Sequence, residues 1–176
     1  MPSVAGSRRM IEFLARRRVT LGFATAILAV IVAAPTWTSW TIGLGIAALG
    51  EAVRVWAAGH LEKGREVTRS GPYRWMRHPL YVGSSVLAAG VVVAARHPLV
   101  AIAAIVYMGA TITAAIRTEE AYLRGAFGDT YERYRASAAE PMARRFSFAR
   151  VLRNREYRAL AGMAAGFGLL ALKVLL

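Results

Sequence analysis

Residues 98–116 read PLVAIAAIVYMGATITAAI, a stretch without a single charged side chain. Its apolar residues run on without the in–out alternation that a half-wet or barrel strand needs. A hydrocarbon core of about 30 Å is crossed by ~20 helical residues, so this stretch predicts a transmembrane helix. The same texture recurs outward from it, at about 19–34, 40–58, 80–95 and 159–176. Arginine-rich stretches separate these blocks, where a soluble core would disperse its apolar residues by helix or strand period. The expectation is an all-α membrane protein: one membrane domain over 1–176, with about five transmembrane helices. The first and third blocks are short, which calls for local thinning or snorkelling flanks. Pro35 directly after Ala33-Ala34 spoils a would-be cleavage site, so the N-terminal region reads as an uncleaved first helix.

The chain carries a net charge of +13, with 23 Lys and Arg. Five of these basic residues precede the first block, five lie between blocks two and three, and ten between blocks four and five. With five alternating helices, those 20 fall on one side. The positive-inside rule makes that side cytoplasmic, with the N-terminus inside and the C-terminus outside. The charge is then a topology signal and an attractor of anionic lipid rather than a nucleic-acid footprint. The absence of cysteine excludes disulfides, thiol nucleophiles and thiolate metal sites. No clustered His and acidic metal ligands occur either.

Turns at 35–39 and 96–97 are short enough to force hairpins, so the chemistry belongs in the longer inner loops. Residues 143–158 (ARRFSFARVLRNREYR) mix Arg with aromatic and aliphatic residues, as a helix lying in the headgroup plane would. Gly162 and Gly166 form a GxxxG in the fifth block, suited to close packing within the monomer or to a homodimer. Glu51 and Arg54, at i,i+3 within the second block, are either a structural ion pair or a cavity lining. Gly43, Gly45 and Ala48 satisfy a loose dinucleotide-binding pattern, but inside an apolar helix rather than after a strand.

Two stretches carry chemistry. SGPYRWMRHPLY, residues 70–81, makes a Gly-Pro turn and enters the third helix with Pro79 in its first turn. Glu119 and Glu120 leave the fourth helix at the same membrane face, where both the helix dipole and anionic lipid disfavour them. Because blocks three and four form a hairpin, the two stretches lie at one level on neighbouring helices.

With Gly71-Pro72-Tyr73, Arg77-His78-Pro79-Leu80-Tyr81, the Glu pair, and Phe127-Gly128 followed by Tyr131 and Tyr134, the chain resembles the isoprenylcysteine carboxyl methyltransferase and phospholipid methyltransferase superfamily over about residues 50–140. The resemblance implies a small helical membrane enzyme that binds S-adenosyl-L-methionine at the cytoplasmic face. It makes Tyr73, His78, Pro79, Leu80, Tyr81, Glu119 and Glu120 cofactor-binding candidates. Val67 and Arg65 join them, Arg65 standing where those enzymes carry His. Arg117 and Glu120 become the catalytic candidates, with Arg117 facing a substrate carboxylate. No metal is implied. A sulfonium and an ammonium suit carboxylates and aromatic faces. A carboxylate acceptor needs no general base, which favours O-methylation of an isoprenylcysteine-like or other lipid-like acid over N-methylation of a phospholipid amine. Alternative readings are an NADPH-dependent reductase of the sterol-reductase type and a non-enzymatic membrane scaffold. The expected partners are a lipophilic substrate and membrane lipids, in a cell membrane, with the high Ala and Arg content pointing to a bacterial inner membrane.

Overall fold

In a computed structural model the chain is described at residue 17 and over 20–176. The expectations for Arg8, Arg9, Arg16 and Arg18, and for the very start of the first apolar block, lie outside the described residues. Among the described residues the protein is helical, without strands. The helices are α1 (Thr20–Val32), α2 (Trp37–Ala58), α3 (Pro79–Ala95), α4 (Pro98–Arg135), the short α5 (Phe148–Arg153) and α6 (Tyr157–Leu175), with a 3₁₀ turn at Gly71–Arg74. Helices α2, α4 and α6 are long and apolar enough to cross a membrane, while α1 and α3 are shorter apolar helices.

Each hairpin end is built from local signals. Thr36 and Ser39 form a reciprocal capping box that starts α2, and the Ser39 hydroxyl also donates to the Ala94 carbonyl (3.1 Å). Pro79 and Pro98 open α3 and α4 in first-turn positions where no backbone donor is missed. Arg96 closes α3 in the left-handed region (φ 50°), so the chain reverses at once into α4.

Helices α2 and α3 form the tight seam of the molecule. A Cβ on Gly43, Gly50, Gly83 or Gly90 would collide with backbone of the facing helix, so these glycines let the two backbones approach closely. Helix α6 is tied across the far end. Lys173 Nζ donates to the Val30 carbonyl (2.8 Å) and the Trp40 indole to the Phe167 carbonyl (2.8 Å). The first bond satisfies a carbonyl in the last turn of α1 and the second an indole N–H, which apolar surroundings could not.

Three sequence expectations change in detail. Helix α4 does not stop at 116 but continues to Arg135, broken only at Gly128 (φ 43°, ψ −119°). The Phe-Gly-Tyr-Tyr motif is therefore carried on a helix that has left its apolar half. Within 143–158 only Phe148–Arg153 and the start of α6 are helical; residues 143–147 form an irregular strap and 154–156 a turn. A Cβ on Gly162 or Gly166 would meet nothing within 4 Å, so neither mediates close packing within this chain.

Candidate active site

The 3₁₀ turn and the start of α3 are braced from below. Gly71 (φ 56°) lies against the His60 ring, where a Cβ would clash, and His60 Nδ1 is 3.1 Å from Ser70 Oγ. Tyr73 is buried, and its carbonyl accepts from the Tyr134 hydroxyl (2.8 Å). Burial, then the charge of Glu119, push the Tyr73 phenol well above its ordinary range, so it serves as a neutral aromatic wall.

The turn and the Glu pair meet side chain to side chain. Tyr81 Oη donates to Glu119 Oε2 (3.0 Å), and His78 Nε2 lies 3.3 Å from Glu120 Oε1. Glu120 is also ion-paired to Arg77 (3.5 Å) and Arg124 (3.4 Å). The awkward carboxylates at the end of the apolar half of α4 are thus compensated unequally. Glu120 is enclosed by cations, whereas Glu119 is 41% exposed and His78 Nδ1 stands 4.0 Å away.

These residues border a cavity of about 560 Å³, within the range that holds a small-molecule ligand. Val67, Tyr73, His78, Pro79, Leu80, Tyr81 and Glu119 line it. Three of the sequence candidates do not. Glu120 stands behind the wall as a brace for His78 and Arg77. Arg117 is exposed, and the Arg65 side chain is 72% exposed beside Glu62 at 4.0 Å.

The cavity also takes residues that motif reasoning missed. The loop 61–68 supplies Leu61, Lys63, Gly64, Glu66 and Thr68, and α4 supplies Thr111, Ala115, Thr118 and Tyr122. The spacing of the α4 set marks one helix face and was readable in the sequence. The loop was not, because the strap shapes it from far along the chain. Arg144 pairs with Glu66 (2.5 and 2.8 Å) and donates to the His60 carbonyl (3.2 Å). Arg150 Nε donates to the Gly59 carbonyl (2.7 Å), and the Asn154 amide to those of Ala58 (2.9 Å) and Leu61 (3.0 Å).

The family model for phospholipid methyltransferases matches residues 21–130, covering α1 through most of α4 and nearly all of the cavity wall. The chain belongs to this family. No curated protein and no solved structure matches it. The family consists of membrane methyltransferases, and its members generally use S-adenosylmethionine; the apolar helices suit that location. The wall fits such a cofactor chemically. Glu119 and Glu66 offer carboxylates to its cationic groups, and Tyr73, Tyr81, Tyr122 and Tyr134 offer aromatic faces. Among the described residues no cluster of His and acidic side chains could hold a metal ion.

Proposed function

We propose that this phospholipid methyltransferase family member transfers a methyl group from S-adenosylmethionine to a lipophilic acceptor, with a lipid-like carboxylate as the favoured nucleophile. The observation that carries the reading is the 560 Å³ cavity in which Glu119, oriented by Tyr81, faces a ring of tyrosines. The Glu119 carboxylate would hold the ammonium or sulfonium of the cofactor, with Tyr73 and Tyr134 closing the wall and excluding water. The cofactor supplies an electrophilic methyl for in-line displacement, and a carboxylate acceptor needs no proton removed. Arg77 and Lys63, both on the wall, are the cations nearest at hand to orient such an acceptor; Arg117, pointing outward, would act at the approach. Catalysis on this reading is positioning and desolvation.

The His78–Glu120 hydrogen bond supports a second reading, N-methylation of a phospholipid amine. A histidine backed by a carboxylate can accept the proton that an ammonium must lose before it attacks.

On either reading five helices cross the membrane, with the N-terminus in the cytoplasm. The polar half of α4, the loop 59–70 and the strap then form the cytoplasmic face, in keeping with the placement of 20 of the 23 basic residues. The deciding experiment is calorimetric titration of detergent-purified protein with S-adenosylmethionine and, separately, with NADPH. Micromolar binding of the first, lost on changing Tyr81 and Glu119, is expected. Binding of NADPH alone would move the protein to reductase chemistry, and silence from both would leave a scaffold.

A further inference from the structure

The loop 61–68 borders the 560 Å³ cavity yet has few holds of its own, and no part of it is helical. Its internal hydrogen bonds run from the Arg65 amide to the Glu62 carbonyl (3.2 Å), from the Glu62 amide to Thr68 Oγ1 (3.3 Å), and from Thr68 Oγ1 to Glu66 Oε1 (3.4 Å). From α4 the Tyr122 hydroxyl reaches the Gly64 carbonyl only at 3.5 Å. A segment with so few bonds opens locally at low free energy unless something outside it holds it closed.

That hold comes from the strap. Arg144 meets both oxygens of Glu66, Nη1 to Oε1 (2.5 Å) and Nη2 to Oε2 (2.8 Å), and Nη1 also donates to the His60 carbonyl (3.2 Å). The pair is mostly buried, with 19% of the Arg144 side chain and 27% of the Glu66 side chain exposed. Such two-point, charge-assisted pairing fixes geometry as well as energy. Glu66 in turn accepts from Thr68, and both line the cavity. Through His60, which backs Ser70 and Gly71, the same guanidinium reaches the turn that carries Tyr73. The neighbouring anchors do something else. Arg150 and Asn154 satisfy the Ala58, Gly59 and Leu61 carbonyls at the end of α2, and Arg153 pairs with Glu62, which is off the wall. Among the described residues from 143 to 156, only Arg144 pairs with a side chain that lines this cavity; it lies beyond the matched residues 21–130.

We infer that Arg144 is a positioning residue: acting through Glu66, it sets the shape of the loop 61–68 and thereby the cavity's affinity for S-adenosylmethionine. Arg144 does not itself line the cavity, so its effect passes through the side chain that it holds. The affinity half rests on the methyltransferase reading, the loop half on the geometry alone. A merely structural tie would lower the stability of the whole protein and leave binding by the folded molecules unchanged. A positioning residue changes binding in a fully folded protein, and its effect vanishes once Glu66 is gone.

The test uses the full chain in detergent, with hydrogen–deuterium exchange read by mass spectrometry, S-adenosylmethionine affinity by calorimetry, and thermal unfolding. In Arg144→Ala, exchange of the 61–68 amides is expected to rise about tenfold while peptides from α2, α3 and α6 keep theirs. Affinity should fall about tenfold. Arg144→Lys keeps the charge but not the fork, so it recovers only part of the affinity; it carries the same comparison if the alanine variant does not fold. On a Glu66→Ala background, Arg144→Ala should cost less than about twofold more. Arg153→Ala, off the wall, should stay within about twofold of wild type. Unchanged exchange and affinity in Arg144→Ala would overturn the inference. So would losses that multiply in the double variant, an equal loss in Arg153→Ala, or a loosening that spreads through the helices. Wild-type protein that does not bind S-adenosylmethionine would instead defeat the methyltransferase reading, and exchange of 61–68 in Arg144→Ala would then decide the loop half on its own.

Discussion

Helix α3 is packed in two opposite ways on its two sides, and glycine is the residue that distinguishes them. Toward α2, Gly43, Gly50, Gly83 and Gly90 bring backbones so close that a Cβ would strike main chain. Toward α4 and α6 the packing is open: the 560 Å³ cavity lies there, and Gly162 and Gly166, with open space at their Cβ positions, line a second cavity of about 370 Å³. One residue type thus serves as a zipper on one seam and as an omission on the other. The lesson is a division of labour: the tight seam holds the Gly71 turn and the start of α3 in register, and the loose seam leaves room for ligands.

The largest expected effect breaks the tight seam. Gly90→Leu must push α2 and α3 apart, costing about 3 kcal/mol or more as overpacking. Gly166→Leu, on the loose side, should change stability by less than about 1 kcal/mol and can gain helix propensity. Thermal unfolding of both variants in one detergent reads the contrast, and equal losses would erase the distinction between the seams.

Next comes the charged end of the loose seam. Glu120→Gln removes the carboxylate that braces His78, Arg77 and Arg124. A lost charge-assisted hydrogen bond is worth roughly 1.5–3 kcal/mol, so S-adenosylmethionine affinity should fall about tenfold or more in a folded protein. Unchanged affinity by calorimetry would remove Glu120 and its bracing from the site and leave only Glu119 there.

Arg117→Ala should do less, because Arg117 is exposed and off the cavity wall. Cofactor affinity should stay within about twofold while the acceptor KM rises or kcat drops modestly. Loss of both affinities together would contradict a role confined to the acceptor.

The smallest effect is expected just past the end of the tight seam, at His60. Burial, helped by Arg150 and Arg144, lowers its pKa below the ordinary 6.5. The folded protein therefore resists protonation, and the unfolded chain takes up the proton first as the pH falls. Stability is full above pH 6.5 and declines below it, levelling off once the folded imidazole also titrates. Melting temperatures between pH 7.5 and 5 should fall in the wild type and less in His60→Asn; parallel curves would assign the loss to other groups.

Much of this was legible along the chain. Continuous apolar blocks set helices because a backbone in hydrocarbon must satisfy its own hydrogen bonds, and Pro79, Pro98 and the Thr36–Ser39 cap mark where helices begin. The His78-Pro79-Leu80-Tyr81 turn and the Glu pair pointed to the candidate site, since carboxylates at the end of an apolar helix demand compensation. Less legible was which of the pair faces the cavity. Both glutamates have the same local sequence context, and only the positions of Arg77, Arg124 and Tyr81 separate the enclosed Glu120 from the accessible Glu119.

The sequence by itself determined the helices, their hairpins and the residues that carry charge into the site, because hydropathy, capping and dipole effects act over a turn or two. Only the tertiary structure decided how Arg144, 78 residues away, grips Glu66 on the cavity wall, why Arg65 and Arg117 point outward, and that Gly162 and Gly166 line a space rather than a contact. Those outcomes depend on which surfaces meet across the bundle, and a glycine reads the same in a sequence whether a neighbour fills its missing side chain or nothing does.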